Sequence, residues 1–389
     1  HTQGSGKSLT MVILAEMIAL SKKIKNPKII LVTDRIDLNS QITETFQKCN
    51  IPVEEAATGK HLIELIKSPS DAVITTIINK FKAAINQEPE GFHSSEIFVL
   101  IDEGHRSQYK TFNVKMQKTF PNGCFIAFTG TPLMKSEKNT ANKFGGIIDE
   151  YTIKDAVEDK AVVPLLNEKP LDSFFDKVTE PLTKYGKAGL KRKYSSKNAI
   201  NKADQVIYDR AWDISEHFVD FLQGTGFKGQ LVAPNKTSAI LYRKYLNEIG
   251  KVKAEVVISA PDTRESHDDA FEENENVVLS FHKSMMDKYG TQEKYEKSII
   301  NGFKKQEFPE IIIVVDKLLT GFDAPNNRVL YLTRSLKEHT LLQAIARVNR
   351  LAEGKDYGLI IDYYGNLENL DKAIETYSGG DGMNPEDLI

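Results

Sequence analysis

Cysteine is nearly absent from this chain of 389 residues: only Cys49 and Cys124 occur, with no CxxC spacing. That excludes a disulfide framework and a cysteine-held zinc site, and it predicts a reducing compartment, the cytoplasm of a bacterium or archaeon. Long apolar runs are missing too. The longest, such as Ile311 to Val315, fall far short of the roughly 20 residues a membrane span needs, so no membrane partner is expected. Nor is there an excess of positive charge, because 51 Lys plus Arg stand against 54 Asp plus Glu, a formal net charge of -3. A uniformly basic surface is excluded, and any contact with nucleic acid must come from a local stripe. No internal repeat or low-complexity tract is visible. The chain opens on His1-Thr2-Gln3-Gly4, with neither an initiator Met nor a signal peptide, as expected of a piece of something longer.

What is present is ordinary globular material, 40% hydrophobic and 27% charged, which argues against disorder. At roughly 150 residues per domain the length predicts about two to three domains, each with enough apolar material for a core. Short β-branched runs alternate with longer amphipathic stretches. Strands are predicted at Ile29–Thr33, Ala72–Thr76, Ile97–Ile101 and Cys124–Thr129, then at Gly229–Ala233, Glu255–Ser259, Ile311–Asp316, Val329–Thr333 and Gly358–Asp362. Continuous apolar strands separated by helical patterns predict an α/β fold of buried parallel strands with right-handed crossovers.

The predicted division is a first domain over 1–163, a connector over 164–204, a second domain over 205–365 and a tail over 366–389. The connector holds Pro164, Pro170, Pro181, Gly186 and Gly189 and lacks strand signals. It also holds the clearest basic cluster, Lys184, Lys187, Lys191, Arg192, Lys193 and Lys197, with Tyr185 and Tyr194 interspersed. Two readings stay open for it: a solvated connector, or a contact with a phosphate backbone.

The chemistry begins at Gly4-Ser5-Gly6-Lys7-Ser8, which runs directly into a helical pattern from Leu9. Glycines at 4 and 6 let consecutive backbone N–H groups turn inward and form an anion nest at a helix N-terminus. Lys7 would place its ammonium against the β- and γ-phosphates of ATP, and the Ser8 hydroxyl would complete the coordination of Mg2+. The strict pattern wants another glycine where this chain has His1; only the turn from Gly4 to Gly6 needs the missing Cβ. A second half-site is Asp102-Glu103-Gly104-His105, directly after the apolar run Ile97–Ile101. Carboxylates at the C-terminal end of a buried parallel strand sit where α/β sheets bind ligands. Asp102 is placed to hold Mg2+, and Glu103 to orient and deprotonate the attacking water. A glycine turn ahead of a lysine, or two adjacent acids, would each mean little alone. Together they predict a nucleoside triphosphatase.

These segments, with Thr129-Gly130-Thr131-Pro132, Thr320-Gly321-Phe322-Asp323-Ala324-Pro325 and Gln343-Ala344-Ile345-Ala346-Arg347-Val348-Asn349-Arg350, resemble motifs I, II, III, V and VI of superfamily-two helicases. The local wording resembles most closely the motor (R) subunit of type I restriction-modification enzymes: His1–Leu9, Asp102-Glu103-Gly104-His105-Arg106-Ser107-Gln108, Phe128–Leu133 and Ala161-Val162-Val163-Pro164-Leu165. The resemblance implies two tandem RecA-like parallel-sheet domains with an ATP cleft between them. It implies an ATP-dependent motor that pumps double-stranded DNA within a complex with methyltransferase and specificity subunits. The alternative within the same class is a strand-separating DNA or RNA helicase; from another class, a P-loop scaffold that binds nucleotide without turnover.

At 100° per helical residue, Gln343, Arg347 and Arg350 would project from one side of a motif VI helix, flanked by the small Ala344 and Ala346. As arginine fingers, Arg347 and Arg350 would supply roughly 10³-fold or more in rate. The resemblance further assigns Gly321 and Asp323 to the nucleotide, Gln343 to the γ-phosphate or water, and Thr129 and Thr131 to coupling with domain closure. It places Arg35, Thr75 and Thr76 on the nucleic-acid track, with His105 and Arg106 linking track and ATP; for His105 a buried supporting histidine is an equal reading. In the family an endonuclease domain precedes this region and a helical docking domain follows it. Neither is recognisable here, nor is the strand before the P-loop or an upstream adenine-recognising glutamine. The chain alone is expected to cut no DNA and to show weak ATPase activity.

Overall fold

A computed structural model describes the chain apart from residues 3, 35, 89, 103–118, 131–144, 169–203, 262–272, 306–307, 320, 337 and 367–389. It divides into a first unit, His1–Ala161, and a second that begins at Val162.

The first unit opens with α1 (Lys7–Leu20), β1 (Lys28–Thr33), α2 (Ile36–Lys48), β2 (Val53–Glu55) and α3 (Gly59–Lys67). It continues through β3 (Val73–Ile77), α4 (Ile78–Gln87), β4 (Ile97–Asp102) and β5 (Cys124–Phe128) to α5 (Ile153–Glu158). The sheet order is β2-β3-β1-β4-β5, every pairing parallel. Because side chains alternate across a strand, each strand feeds two cores. Ile30, Val32, Ile74, Val99 and Ile101 pack under α3 and α4 with Leu62, Ile66 and Phe81. Ile29, Leu31, Val73 and Leu100 pack on the other face against Met11, Val12 and Ala15 of α1 and Ile42 and Phe46 of α2. Cover on both faces is why these strands read as continuous apolar runs instead of alternating ones.

The second unit holds β6 (Leu165–Glu168), α6 (Asp204–Phe221), β7 (Lys228–Val232), α7 (Lys236–Ile249) and β8 (Ala254–Val257). Then come α8 (Glu273–Tyr289), α9 (Gln292–Lys304), β9 (Ile311–Val314), β10 (Asn327–Leu332), α10 (Glu338–Ile345) and β11 (Gly358–Asp362). Its sheet runs β6-β11-β10-β7-β9-β8, again all parallel. Ile311–Val314 and Val329–Leu332 are fully buried at its centre. The face of α6 carrying Ile207, Ile214 and Phe218 enters the core together with Arg210, Asp213 and His217. That polar set is matched by the sheet: Arg210 Nη2 donates to Tyr363 O at 3.3 Å, the Tyr363 hydroxyl donates to Asp213, and His217 Nδ1 lies 2.8 Å from the Tyr331 hydroxyl. Burial lowers His217 from 6.5 to about 4 and holds its ring neutral.

All nine predicted strands form, with ends shifted by at most two residues. Two further strands were not expected. β2 is three residues long, and β6 lies inside the predicted connector, where it pairs in parallel with β11 from Leu165↔Gly358 to Glu168↔Ile361. The start of that connector therefore belongs to the second sheet; the basic cluster from Lys184 to Lys197 lies outside the described residues. Among the described residues no helix is long and apolar enough to cross a membrane.

Candidate nucleotide site

The C-terminal ends of parallel strands deliver the site residues. In the first unit β4 ends on Asp102, and Lys7 Nζ reaches its Oδ1 at 2.9 Å; the two side chains are 12% and 7% exposed. Lys7 is the first residue of α1, and Gly6 before it takes a left-handed conformation (φ 94°) as N-cap, with no side chain capping the helix. Gly4 is left-handed as well, at φ 89°. Both glycines are thus required by backbone conformation. A helix N-terminus without a side-chain cap has donors that an anion can satisfy, and its dipole favours negative charge.

The loop is braced from within. Ser5 Oγ donates to Thr2 O at 2.7 Å. A hydroxyl has one proton, so His1 Nδ1, 2.9 Å from Ser5 Oγ, is the donor there, and His1 Nε2 faces Thr10 Oγ1 at 3.3 Å. Thr2 N donates to Tyr151 O at 2.9 Å, and the His1 backbone nitrogen lies 3.2 Å from Thr129 O, with motif III beside the loop. His1, admitted from sequence only as a tolerated substitute for glycine, is a structural member of the loop. A histidine that braces its own turn leaves no spacing signal.

Thr75 and Thr76 are fully buried in β3, between β2 and β1. Thr75 Oγ1 lies 3.2 Å from Thr43 Oγ1, and Thr76 Oγ1 donates to Ile77 O at 3.4 Å. Both hydroxyls are thus engaged within the first unit. Arg35, Glu103, His105, Arg106 and Thr131 lie outside the described residues.

In the second unit the motif VI helix ends at Ile345, before the two arginines. Its hydrogen bonds tighten there: Ala346 N still reaches Leu342 O at 3.1 Å, but Arg347 N and Val348 N bond Ala344 O and Ile345 O at 3.0 Å, the i to i−3 spacing of a closing turn. The single polar stripe expected of Gln343, Arg347 and Arg350 is therefore replaced by three separate placements. Arg347 is buried, donating from Nη1 to Phe322 O at 2.6 Å and from Nε to Gln343 O at 3.0 Å. Arg350 is 21% exposed and forms an ion pair with Asp323, itself 49% exposed. Gln343 is buried, and its Nε2 has no hydrogen-bond partner among the described residues. Gly321 opens the motif V turn at φ 74°. Sequence reasoning missed Lys355, whose ammonium donates to Pro325 O at 2.9 Å and to Asn327 O at 2.7 Å. Within Glu353-Gly354-Lys355-Asp356 it reads as a solvated turn.

Residues 1–185 match the SWI2/SNF2 ATPase family, and residues 225–365 match type I restriction enzyme subunit R domain 3. The type I restriction enzyme HindI endonuclease subunit of Haemophilus influenzae is 31% identical over 446 residues, covering 100% of this chain and 39% of that protein. The chain belongs to the family of type I restriction enzyme endonuclease subunits. It spans about two fifths of the length of that relative. Among solved structures, the ATP-dependent type ISP restriction-modification enzyme LlaBIII bound to DNA gives a TM-score of 0.60 at 13% identity, over 97% of this chain and 28% of that one. Dbp5 of S. cerevisiae bound to RNA and ADP BeF3 gives 0.56 at 11% identity, over 99% of this chain and 83% of that one. At such identities the likeness is one of fold: two tandem RecA-like parallel-sheet units. The R-subunit resemblance read from the motifs agrees with these matches, of which the first is to the SWI2/SNF2 ATPase family model.

Proposed function

We propose that this chain is the ATP-dependent translocase core of a type I restriction endonuclease subunit, hydrolysing ATP to pump double-stranded DNA. The observation that carries the reading is the Lys7–Asp102 pair at 2.9 Å beside the left-handed Gly4 and Gly6. It supports joining the loop and the acidic strand end into one phosphate site. The residues present fit Mg2+ and a triphosphate. Gly4, Ser5, Gly6 and the first turn of α1 would cradle phosphate oxygens; Lys7 would exchange Asp102 for the β- and γ-phosphates; Ser8 and the released Asp102 carboxylate would hold Mg2+. Bound there, the ion neutralises charge on the transferring phosphoryl group. Glu103 takes the proton of the attacking water. Gln343 offers its buried amide to the γ-phosphate or that water, and Gly321 and Asp323 serve the nucleotide from motif V. Arg350, the more exposed of the two arginines, supplies positive charge in the transition state, while Arg347 braces motif V through Phe322 O.

Duplex DNA is the track, and the partners are methyltransferase and specificity subunits. A track read through phosphates carries no sequence information, which suits a motor that must cross any sequence. The test is ATP hydrolysis by the chain with and without linear duplex DNA or RNA, joined to triplex displacement. Stimulation by duplex DNA and displacement without strand separation are expected. Stimulation by RNA and not by duplex DNA would overturn the reading, as would DNA-stimulated hydrolysis unchanged in Glu103→Gln.

A further inference from the structure

Between β9 and β10 the chain leaves the sheet, so its carbonyls must find donors outside the ladder. Side chains provide them. Arg334 Nη2 donates to Val315 O at 2.8 Å, Gln230 Nε2 to Leu318 O at 3.5 Å, and Arg347 Nη1 to Phe322 O at 2.6 Å. Lys355 Nζ closes the series on Pro325 O and Asn327 O, at 2.9 and 2.7 Å. Asn327 is held once more through its side chain, which donates to Gln230 Oε1 at 2.9 Å.

Asp323 therefore stands between two carbonyls, Phe322 O and Pro325 O, each gripped by a buried cation, while its own carboxylate pairs with Arg350. Lys355 is only 5% exposed. Burial, then the neighbouring Arg328 and Arg350, lowers its ammonium to about 7, so Lys355 and Arg350 lie close enough to repel.

We infer that Lys355 is a positioning residue: by holding Pro325 O and Asn327 O it presents Asp323 to Arg350, and so sets where the Arg350 guanidinium stands before it meets the triphosphate. The inference rests on the ATPase reading above for its consequence in rate, and on the second unit alone for its geometry. Lys355→Met removes both donors at nearly constant length and leaves the phosphate loop untouched.

The experiment uses the full chain and two readouts. In DNA-stimulated hydrolysis, Lys355→Met lowers kcat about 10-fold to 100-fold, the scale of a misplaced catalytic group, with KM for ATP held within about twofold. Combined with Asp323→Asn it adds little further loss, because both act on one arrangement. In amide hydrogen exchange, peptides covering 319–327 exchange faster in Lys355→Met while those of β7 and β11 keep their rates. An unchanged kcat, or losses that multiply in the double variant, would overturn the inference. If the wild-type chain hydrolyses no ATP with DNA, it is the ATPase reading that falls, and unchanged exchange over 319–327 still overturns the clamp.

Discussion

Gly358 is the first residue of β11, and a Cβ built there would lie 2.3 Å from Val348 O and 2.7 Å from Val348 C. The substitution to test is Gly358→Ala. The obstacle is contact with a backbone carbonyl, which cannot rotate away as a side chain could. Either the turn after α10 or the start of β11 must move by about 1 Å, at an overpacking cost of about 2–3 kcal/mol. At roughly 2–4 °C per kcal/mol for a unit of this size, calorimetry on the full chain should show the second unit melting about 4–12 °C lower. Gly229→Ala is the control, because its neighbours, at 3.1 to 3.4 Å, are side-chain carbons that can give way; its loss should be smaller. Val348 directly follows Arg347, so the same displacement disturbs the Arg347 bond to Phe322 O and should lower DNA-stimulated kcat with little change in KM. A Gly358→Ala protein melting within about 1 °C of wild type would refute the contact argument.

Two further outcomes are expected. Lys7→Met should lower ATP hydrolysis by at least about 10²-fold, the scale for loss of one transition-state donor, and nucleotide binding by filter retention should weaken with it; full activity would remove Lys7 from the site. His217 is a base whose folded pKa, about 4, lies below its ordinary 6.5. The unfolded chain binds a proton between these values that the folded chain refuses, so stability is intact above pH 6.5 and declines toward pH 4, by at most about 3 kcal/mol. Urea midpoints of His217→Phe should fall less over that window than those of wild type; equal slopes would count against a buried neutral ring.

Much of this architecture is written locally. Ile29–Thr33 or Ile311–Val314 can only be buried strands, and glycines at 4 and 6 ahead of Lys7 announce a left-handed turn into a helix. What escapes is settled by distant neighbours. Leu165-Leu166-Asn167-Glu168 carries too little apolar signal to declare a strand, and becomes one because β11 offers it a free edge. Lys355 looks like any lysine in a polar turn until Pro325 and Asn327 fold over it. The motif VI helix keeps its periodicity past Ile345 in sequence, yet Arg347 and Arg350 are drawn off that register by Phe322 O and Asp323. Thr75 and Thr76 read as polar positions in sequence, and their burial follows from β3 lying between β2 and β1.

The pairing of β6 with β11 also dictates an order of events during synthesis. A ribosome releases Leu165–Glu168 long before Gly358–Asp362 exists, so the outermost strand of the second sheet is born without a mate and must wait until translation of this region is almost finished. Any nascent chain stalled short of Gly358 would carry an orphan strand at one end and a half-built sheet at the other. Such a species is a natural client for chaperones and proteases.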